Sequence, residues 1–240
     1  MIIKTIKIWG FSFILAGILS ANPALEIPQS AFDFGYIPQQ AQFSRTFYLK
    51  SSGDEAVKII KVIPGCSCTQ APLDKDIIYP GDSAALEIIF NSKKYVGLVT
   101  KRPRVETNTY PPGQRVSFSA NVVAAPDSTL PLIIEPWLAD FSPQNGPGNT
   151  RTLAITNRTN SELEIVVVDK PKDRVKIKLP EKITPGETVN AVFEFDGADK
   201  DTELIKSITF QINDPDQSRF SIPIMRQGSR IETELEVESP

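Results

Sequence analysis

The sequence predicts an all-β chain: two tandem immunoglobulin-like antiparallel β-sandwich domains after an N-terminal signal peptide. Three observations carry that prediction. Apolar and polar residues alternate in short runs, turn signals recur at intervals of about 8–12 residues, and the motifs of the first half return in order in the second. Twenty prolines, many beside glycine or aspartate, punctuate the chain and favour short strands over long helices.

The first 21 residues read as a leader. Lys4 and Lys7 form a positive start, and Ile8 to Ile18 is an apolar run broken by Gly10, Ser12 and Gly17. Leu19-Ser20-Ala21 then supplies small residues for cleavage. An uncleaved anchor is the competing reading, but the run is short of the roughly 20 apolar residues a span needs, and no later stretch approaches that length. No cysteine lies near the cleavage region, which argues against a lipoprotein anchor. The expectation is a secreted or periplasmic bacterial protein with no stable membrane span after cleavage. Net charge is −3, and loss of Lys4 and Lys7 makes the mature chain more negative. Mild acidity gives no footprint for nucleic acid.

The strands follow in order. Phe32, Phe34 and Tyr36 alternate and suggest one buried face. Phe43–Leu49 is the next strand, closed by the turn Ser51-Ser52-Gly53-Asp54. Val57–Ile63 is a nearly continuous apolar run leading into Pro64-Gly65-Cys66-Ser67-Cys68. Tyr79-Pro80-Gly81-Asp82 fits a type II turn, with glycine where φ must be positive. Ala84, Leu86, Ile88 and Phe90 form one face of the strand after it. Residues 96–107 are extended but interrupted by Arg102-Pro103-Arg104, which points to an edge strand or a bulge. Val116, Phe118, Ala120 and Val122 form a further face.

The order then repeats, offset by about 105 residues. Asp33-Phe34 matches Asp140-Phe141, and Arg45–Lys50 matches Arg151–Thr156. Val57–Val62 matches Leu163–Val168, and Pro80-Gly81-Asp82 matches Pro185-Gly186-Glu187. Ala85–Phe90 matches Asn190–Phe195, Glu106-Thr107-Asn108 matches Gln211-Ile212-Asn213, and Phe118-Ser119 matches Phe220-Ser221. The expected layout is a signal peptide over 1–21, a first domain over 22–124, a linker over 125–129, a second domain over 130–228 and an acidic tail over 229–240. Seven or so short strands in each unit is the immunoglobulin-like pattern. Trp137 is read as a core residue, with a wedge between the domains as the alternative.

These motifs carry a resemblance. Phe32-Asp33-Phe34-Gly35, the Ser-Ser-Gly-Asp turn, Val62-Ile63-Pro64-Gly65-Cys66-Ser67-Cys68-Thr69, Tyr79-Pro80-Gly81-Asp82, Gly97 and Glu106-Thr107-Asn108 together resemble the bacterial domain of unknown function 1573. The resemblance covers residues 25–123 and extends to related domains of ciliary and centrosomal proteins. It implies an exported sandwich domain and no particular activity. The second unit resembles a degenerate copy without the cysteines.

Cys66 and Cys68 are the only cysteines, and the chain has no histidine. In an extended strand the two side chains share a face, but their Cα atoms would stand roughly 6.5–7 Å apart. That is at or past the usual disulfide range, so bonding needs a kink, for which Pro64-Gly65 is placed. Export favours oxidation. A three-residue loop gains only about 1.6 kcal/mol by the chain-entropy relation, against about 3 for a fifteen-residue one. The readings are a local disulfide between Cys66 and Cys68, a redox-active pair, two thiolates holding Cu(I), or free thiols in the core. Zinc lacks its usual ligand set here. No catalytic constellation can use histidine, no phosphate-binding glycine loop occurs, and no cofactor is implied. Asp74/Asp76 and Asp199/Asp201 read as solvated turns, and the sequon Asn157-Arg158-Thr159 as a chance match. Lys93-Lys94 with Lys101, Arg102 and Arg104 reads as edge-protecting charge.

The functional expectation is a non-enzymatic binding or scaffold module of the bacterial envelope, with an envelope protein partner the sequence leaves unspecified. The alternative is a thiol-redox or Cu(I)-handling protein using Cys66 and Cys68. A weaker one is a periplasmic chaperone-like protein whose strand 115–123 presents its apolar face to a client.

Overall fold

Alternation with period two buries every second residue of a strand, and it places most of the core. The computed structural model describes residues 22–125, 130–146, 148–197 and 203–227. The predicted signal peptide 1–21, residues 126–129 of the linker, Asp199 and Asp201, and the acidic tail lie outside the described residues. No helix among the described residues is long and apolar enough to cross a membrane.

The first part of the chain forms β1 (Leu25–Glu26), β2 (Ala31–Pro38), β3 (Gln42–Ser51), β4 (Val57–Ile63), β5 (Thr69–Gln70) and β6 (Ile77–Ile78). It continues with β7 (Ser83–Asn91), β8 (Gly97–Lys101), β9 (Arg104–Thr107), β10 (Gly113–Arg115) and β11 (Ser117–Val123). One sheet runs β1-β3-β7-β5. In the other, β8–β9 and β10–β11 are one hairpin bent in the middle. Arg104 faces Arg115 and Lys101 faces Phe118 in the same antiparallel register, and Val116 N–H donates to Pro103 O at 3.1 Å across the bend. The proline read as an edge or bulge signal therefore marks the bend. Below it β9 pairs with β4; above it β11 pairs with β2.

The second part forms β12 (Leu132–Glu135), β13 (Ala139–Asp140), β14 (Thr150–Asn157), β15 (Leu163–Asp169) and β16 (Val175–Lys178). Then come β17 (Lys182–Ile183), β18 (Thr188–Phe195), β19 (Leu204–Ile212) and β20 (Arg219–Arg226). Its sheets are β12-β14-β18-β16 and β17-β15-β19-β20. The buried side chains fall into two clusters, one drawn from residues 25–122 and one from 130–224. The alternating faces of β7 (Ala84, Leu86, Ile88, Phe90) and of the 116–122 run are all buried in the first. Trp137 belongs to the second core, where its Nε1 donates to Ser221 O at 3.0 Å.

The ladders of the two parts correspond. Arg45 faces Ile88 as Arg151 faces Phe193, Ile59 faces Thr107 as Ile165 faces Ile212, and Thr69 faces Phe90 as Val175 faces Phe195. One sequence match is corrected. Asp33 pairs with Ser119, and its counterpart Asp140 pairs with Met225, so Ser119 corresponds to Met225 and not to Ser221. Phe118-Ser119 and Phe220-Ser221 look alike but stand at different levels of their strands.

A second correction concerns Tyr36. The pairing of β2 with β11 shifts register between Asp33 and Tyr36, at Gly35, whose φ is +65°. This bulge changes the phase of the strand: Phe34 and Ile37 enter the first core, whereas Tyr36 packs on the second. Tyr36 pairs with Phe220 across parallel strands, which joins the sheets into one ladder, β17-β15-β19-β20-β2-β11-β8. Ser221 Oγ donates to Phe34 O at 2.7 Å, so Thr209 Oγ1 must be the donor in its 2.6 Å contact with Ser221 Oγ. Ser44 N–H donates to Ser207 Oγ at 3.2 Å, and Ser207 Oγ donates back to Ser44 O at 2.8 Å. Lys206 pairs with Glu87 at 2.7 Å, and Arg45 pairs with Asp169 while its guanidinium lies over the Phe32 ring. Burial pushes the Asp169 carboxyl above its ordinary value against the opposing pull of Arg45.

The repeated Pro-Gly turns hold carboxylates of the opposite tendency. Asp82 is held below its usual value by Lys75 and the Ser83 N–H, and Glu187 by the N–H and hydroxyl of Thr184. A depressed folded-state value means their stabilisation is present above the unfolded carboxylate range and lost as pH falls through the folded value. We expect the melting temperature to drop from about pH 5 to pH 3, and Asp82→Asn with Glu187→Gln to flatten that slope. Thermal melts across that range check it; an unchanged slope in the double variant refutes it.

Candidate functional site: the cysteine turn and the notch beside it

Ile63 opposite Arg104 is the last pair of the β4–β9 ladder. Pro64 and Gly65 then take the chain out of the sheet; Gly65 sits at φ +88°, a conformation that glycine adopts without a steric penalty. Cys66, Ser67 and Cys68 follow in a turn, which is the kink that bonding of the pair was expected to need, and Thr69 N–H donates to Cys66 O at 3.3 Å. The turn brings the two Cα atoms to 5.3 Å, and Cys66 and Cys68 are joined as a disulfide.

The two sulfurs are not equivalent. Cys68 is buried and its carbonyl accepts from Asn91 N–H at 2.9 Å, whereas Cys66 is half-buried. The buried Thr69 hydroxyl lies 3.3 Å from Cys66 Sγ and 3.7 Å from Cys68 Sγ. Lys93 Nζ approaches Ser67 O and Oγ at 3.5 and 3.4 Å, which puts a cation over the turn.

Because the chain leaves the sheet at Pro64, β8 keeps a free edge among the described residues. Val96 and Leu98 stand there 68% and 78% exposed. Between the turn and the bent hairpin lies an open notch of about 520 Å³, lined by Pro64, Gly65, Thr100, Lys101, Arg102 and Arg115. Arg102 and Arg115 are exposed. The basic group read as edge protection thus borders the cysteine turn. Arg104 is apart from it, paired with Glu106 at 3.5 Å.

Other sequence candidates fall elsewhere. Asp74 Oδ1 accepts the Ala85 N–H at 2.8 Å, a turn role. Asn157 is fully buried and its amide donates to Ser161 O and Ile183 O, so the sequon is not a glycan acceptor in this fold. β11 is paired on both edges, by β2 and β8, and its apolar face lies in the first core. The apolar face of the strand 115–123 is therefore taken up by this protein's own core. Among the described residues no three acidic, cysteine or histidine side chains are grouped to hold a metal.

The corresponding surface of the second part was not visible from sequence. Since Ile59 matches Ile165 and Thr69 matches Val175 at one offset, Pro64, Gly65 and Cys66 correspond to Lys170, Pro171 and Lys172. Since Ser119 corresponds to Met225, and these face Thr100 and Ile205, Lys101 and Arg102 correspond to Lys206 and Ser207. These second-part residues sit against the first: Lys172 Nζ donates to Tyr48 Oη at 2.6 Å and lies over its ring, Lys206 holds Glu87, and Ser207 holds Ser44. They line a cavity of about 190 Å³ with Arg45, Tyr48 and Glu87. The second part thus seats on the first through the surface that the first part leaves uncovered by any described residue.

Fold and site together define a protein of paired immunoglobulin-like sandwiches with a disulfide-closed turn on the first. Residues 25–122, which make up the first sandwich, match the family described as protein of unknown function (DUF1573). Among solved structures, a protein of unknown function from Porphyromonas gingivalis W83 is 13% identical, with 85% of this chain and 99% of that one covered and a TM-score of 0.35. The ASH/PapD-like domain 7 of human CEP192 is 11% identical over 51% of this chain and 100% of its own, with a TM-score of 0.36. The YadV chaperone is 11% identical over 84% of this chain and 98% of its own, with a TM-score of 0.30. No curated protein matches the chain in sequence.

Proposed function

We propose that this protein is an exported, non-enzymatic binding module of the bacterial envelope, and that it engages a protein partner through the notch beside the cysteine turn. One observation carries the reading. The second sandwich uses the corresponding turn and strand to seat on β3 and β7 of the first, so this surface type already serves as a docking face within the chain. The first sandwich presents its own copy with Lys101, Arg102 and Arg115 around the notch and, among the described residues, a free strand edge at β8. Lys206 docks on Glu87, so Lys101 and Arg102 select a partner strand that carries acidic side chains. The leader supports export, and the absence of histidine supports a binding role over acyl-transfer or similar catalysis.

The test starts with recovery of partners on the immobilised mature chain from a native envelope fraction, followed by affinity measurement with the purified partner. Arg102→Glu with Arg115→Glu is expected to weaken that partner at least about tenfold, mostly through association rate, with the melting temperature unchanged. Lys176→Glu on the second sandwich serves as the control and leaves affinity alone. Equal affinity of the wild-type and notch variants would remove the notch as the docking face.

A further inference from the structure

We propose that Cys66–Cys68 is an exchangeable disulfide at which Cys66 is the sulfur attacked and Cys68 is the leaving thiolate. The inference stands on the asymmetry of the turn and does not require the docking reading. A disulfide closing three residues constrains the unfolded chain little, and the corresponding turn of the second sandwich, Lys172 to Arg174, holds its place without one. The fold therefore has no need of the bond as a staple. Cys66 is half-buried at an exposed turn, whereas Cys68 is buried, so an incoming sulfur reaches Cys66 first. Thr69 has one hydroxyl proton, and its oxygen lies within sulfur hydrogen-bond range of both Sγ atoms. It can follow the negative charge from one sulfur to the other. The Lys93 ammonium over Ser67 adds a positive field at the same place.

The chemistry balances with a dithiol as co-reactant. A thiolate of the dithiol attacks Cys66 Sγ; the new S–S bond forms as the Cys66–Cys68 bond breaks, and the electron pair leaves on Cys68 Sγ, where Thr69 donates to it. The second thiolate of the dithiol then attacks its own bonded sulfur, closing the dithiol's disulfide and expelling Cys66 as thiolate. Two protons released by the dithiol end on Cys66 and Cys68. The dithiol is oxidised by two electrons and the pair is reduced by two.

The test uses the mature chain and glutathione. Equilibration across reduced and oxidised glutathione ratios, with acid quench and mass measurement, is expected to show two thiols appearing per chain within the buffer's range while circular dichroism stays native. In Cys68→Ser, Cys66 should form the glutathione mixed disulfide; in Cys66→Ser, Cys68 should react at least about tenfold more slowly. Thr69→Val in the Cys68→Ser background should slow alkylation of Cys66 at pH 7 about three- to tenfold and move the midpoint of its pH profile upward, with Thr69→Ser restoring both. A bond that stays oxidised at every glutathione ratio in the folded chain overturns the proposal. Equal reactivity of the two single-cysteine variants overturns the assignment of roles.

Discussion

Gly35→Ala is expected to cost roughly 3 kcal/mol or more and to split a single thermal transition into two. The cost has two sources. The residue sits at φ +65°, where an L side chain loses about 1–2 kcal/mol. A Cβ built there would stand 2.2 Å from Arg219 O and 2.4 Å from Arg219 C, both backbone atoms of β20. Backbone cannot rotate away, so β20 must retreat from β2. That retreat pulls Ser221 off Phe34 O and Phe220 off Tyr36, the contacts that merge the two sheets. Each sandwich keeps its own apolar cluster, so both remain folded after they part. Gly81→Ala isolates the backbone term: its φ is +80° and nothing lies within 4 Å of the added Cβ. We expect that control to cost only about 1–2 kcal/mol with one transition retained. Calorimetry on the three proteins decides the matter. A Gly35→Ala melt no worse than that of Gly81→Ala would mean that the junction does not resist separation.

The same glycine shows where a sequence stops being legible. The alternation of β7 could be read directly, because a strand with one face in the core repeats every two residues and Ala84, Leu86, Ile88 and Phe90 are all buried. The alternation of 32, 34 and 36 could be read just as directly, and it misassigned Tyr36. One residue of bulge reverses the phase, and the available signal was a lone glycine inside a strand pattern. Whether such a glycine makes a bulge depends on its neighbours on both sides, here β11, against which the register shifts, and β20 of the other sandwich, whose backbone comes close to it. The Phe-Ser pairs at 118 and 220 failed for a related reason: local likeness carries no register, and only the ladders show that Ser119 stands level with Met225.

The site was legible in composition and not in geometry. Two cysteines, a preceding Pro-Gly and no histidine were enough to pick out the turn and to require a kink. The unequal burial of the two sulfurs and the shared Thr69 hydroxyl depend on β5 returning to pair with β7, a long-range event. The notch was harder still. Lys101 and Arg102 were visible as charge near a proline, a pattern that mostly protects sheet edges. Their meaning comes from Lys206 and Ser207, which occupy the corresponding places and are docked. The repeat was visible in the sequence; that one copy of the surface is covered and the other left uncovered by any described residue was not.

Phe220→Ala should be the most damaging single truncation at the junction, at about 3–5 kcal/mol. The ring is fully buried, with centroids 5.2 Å from Tyr36, 5.8 Å from Phe210 and 6.2 Å from Trp137. Deleting it opens a cavity in the second core and removes the partner of a residue from the first. These two losses can be separated. Tyr36→Leu removes the ring contact while keeping apolar volume, and it leaves the Phe210 and Trp137 contacts of Phe220 in place. If Tyr36 and Phe220 work as a pair, the double variant loses less than the two single losses added together, by about 0.5–1.5 kcal/mol. Phe34→Ala gives the reference. Phe34 packs on Phe43 and Phe118 inside the first core, with no ring contact to Phe220 among the described residues, and touches the junction only through its backbone carbonyl, which the substitution keeps, so the coupling of its ring to Phe220 should be smaller than that of Tyr36. Denaturant unfolding of the four junction proteins and the reference pair measures both sums. Strict additivity for Tyr36 and Phe220 would mean that the shared ladder aligns two sandwiches without coupling their stabilities, and the docking of the second sandwich on the first would then rest on polar contacts such as those of Ser44, Arg45, Tyr48 and Glu87.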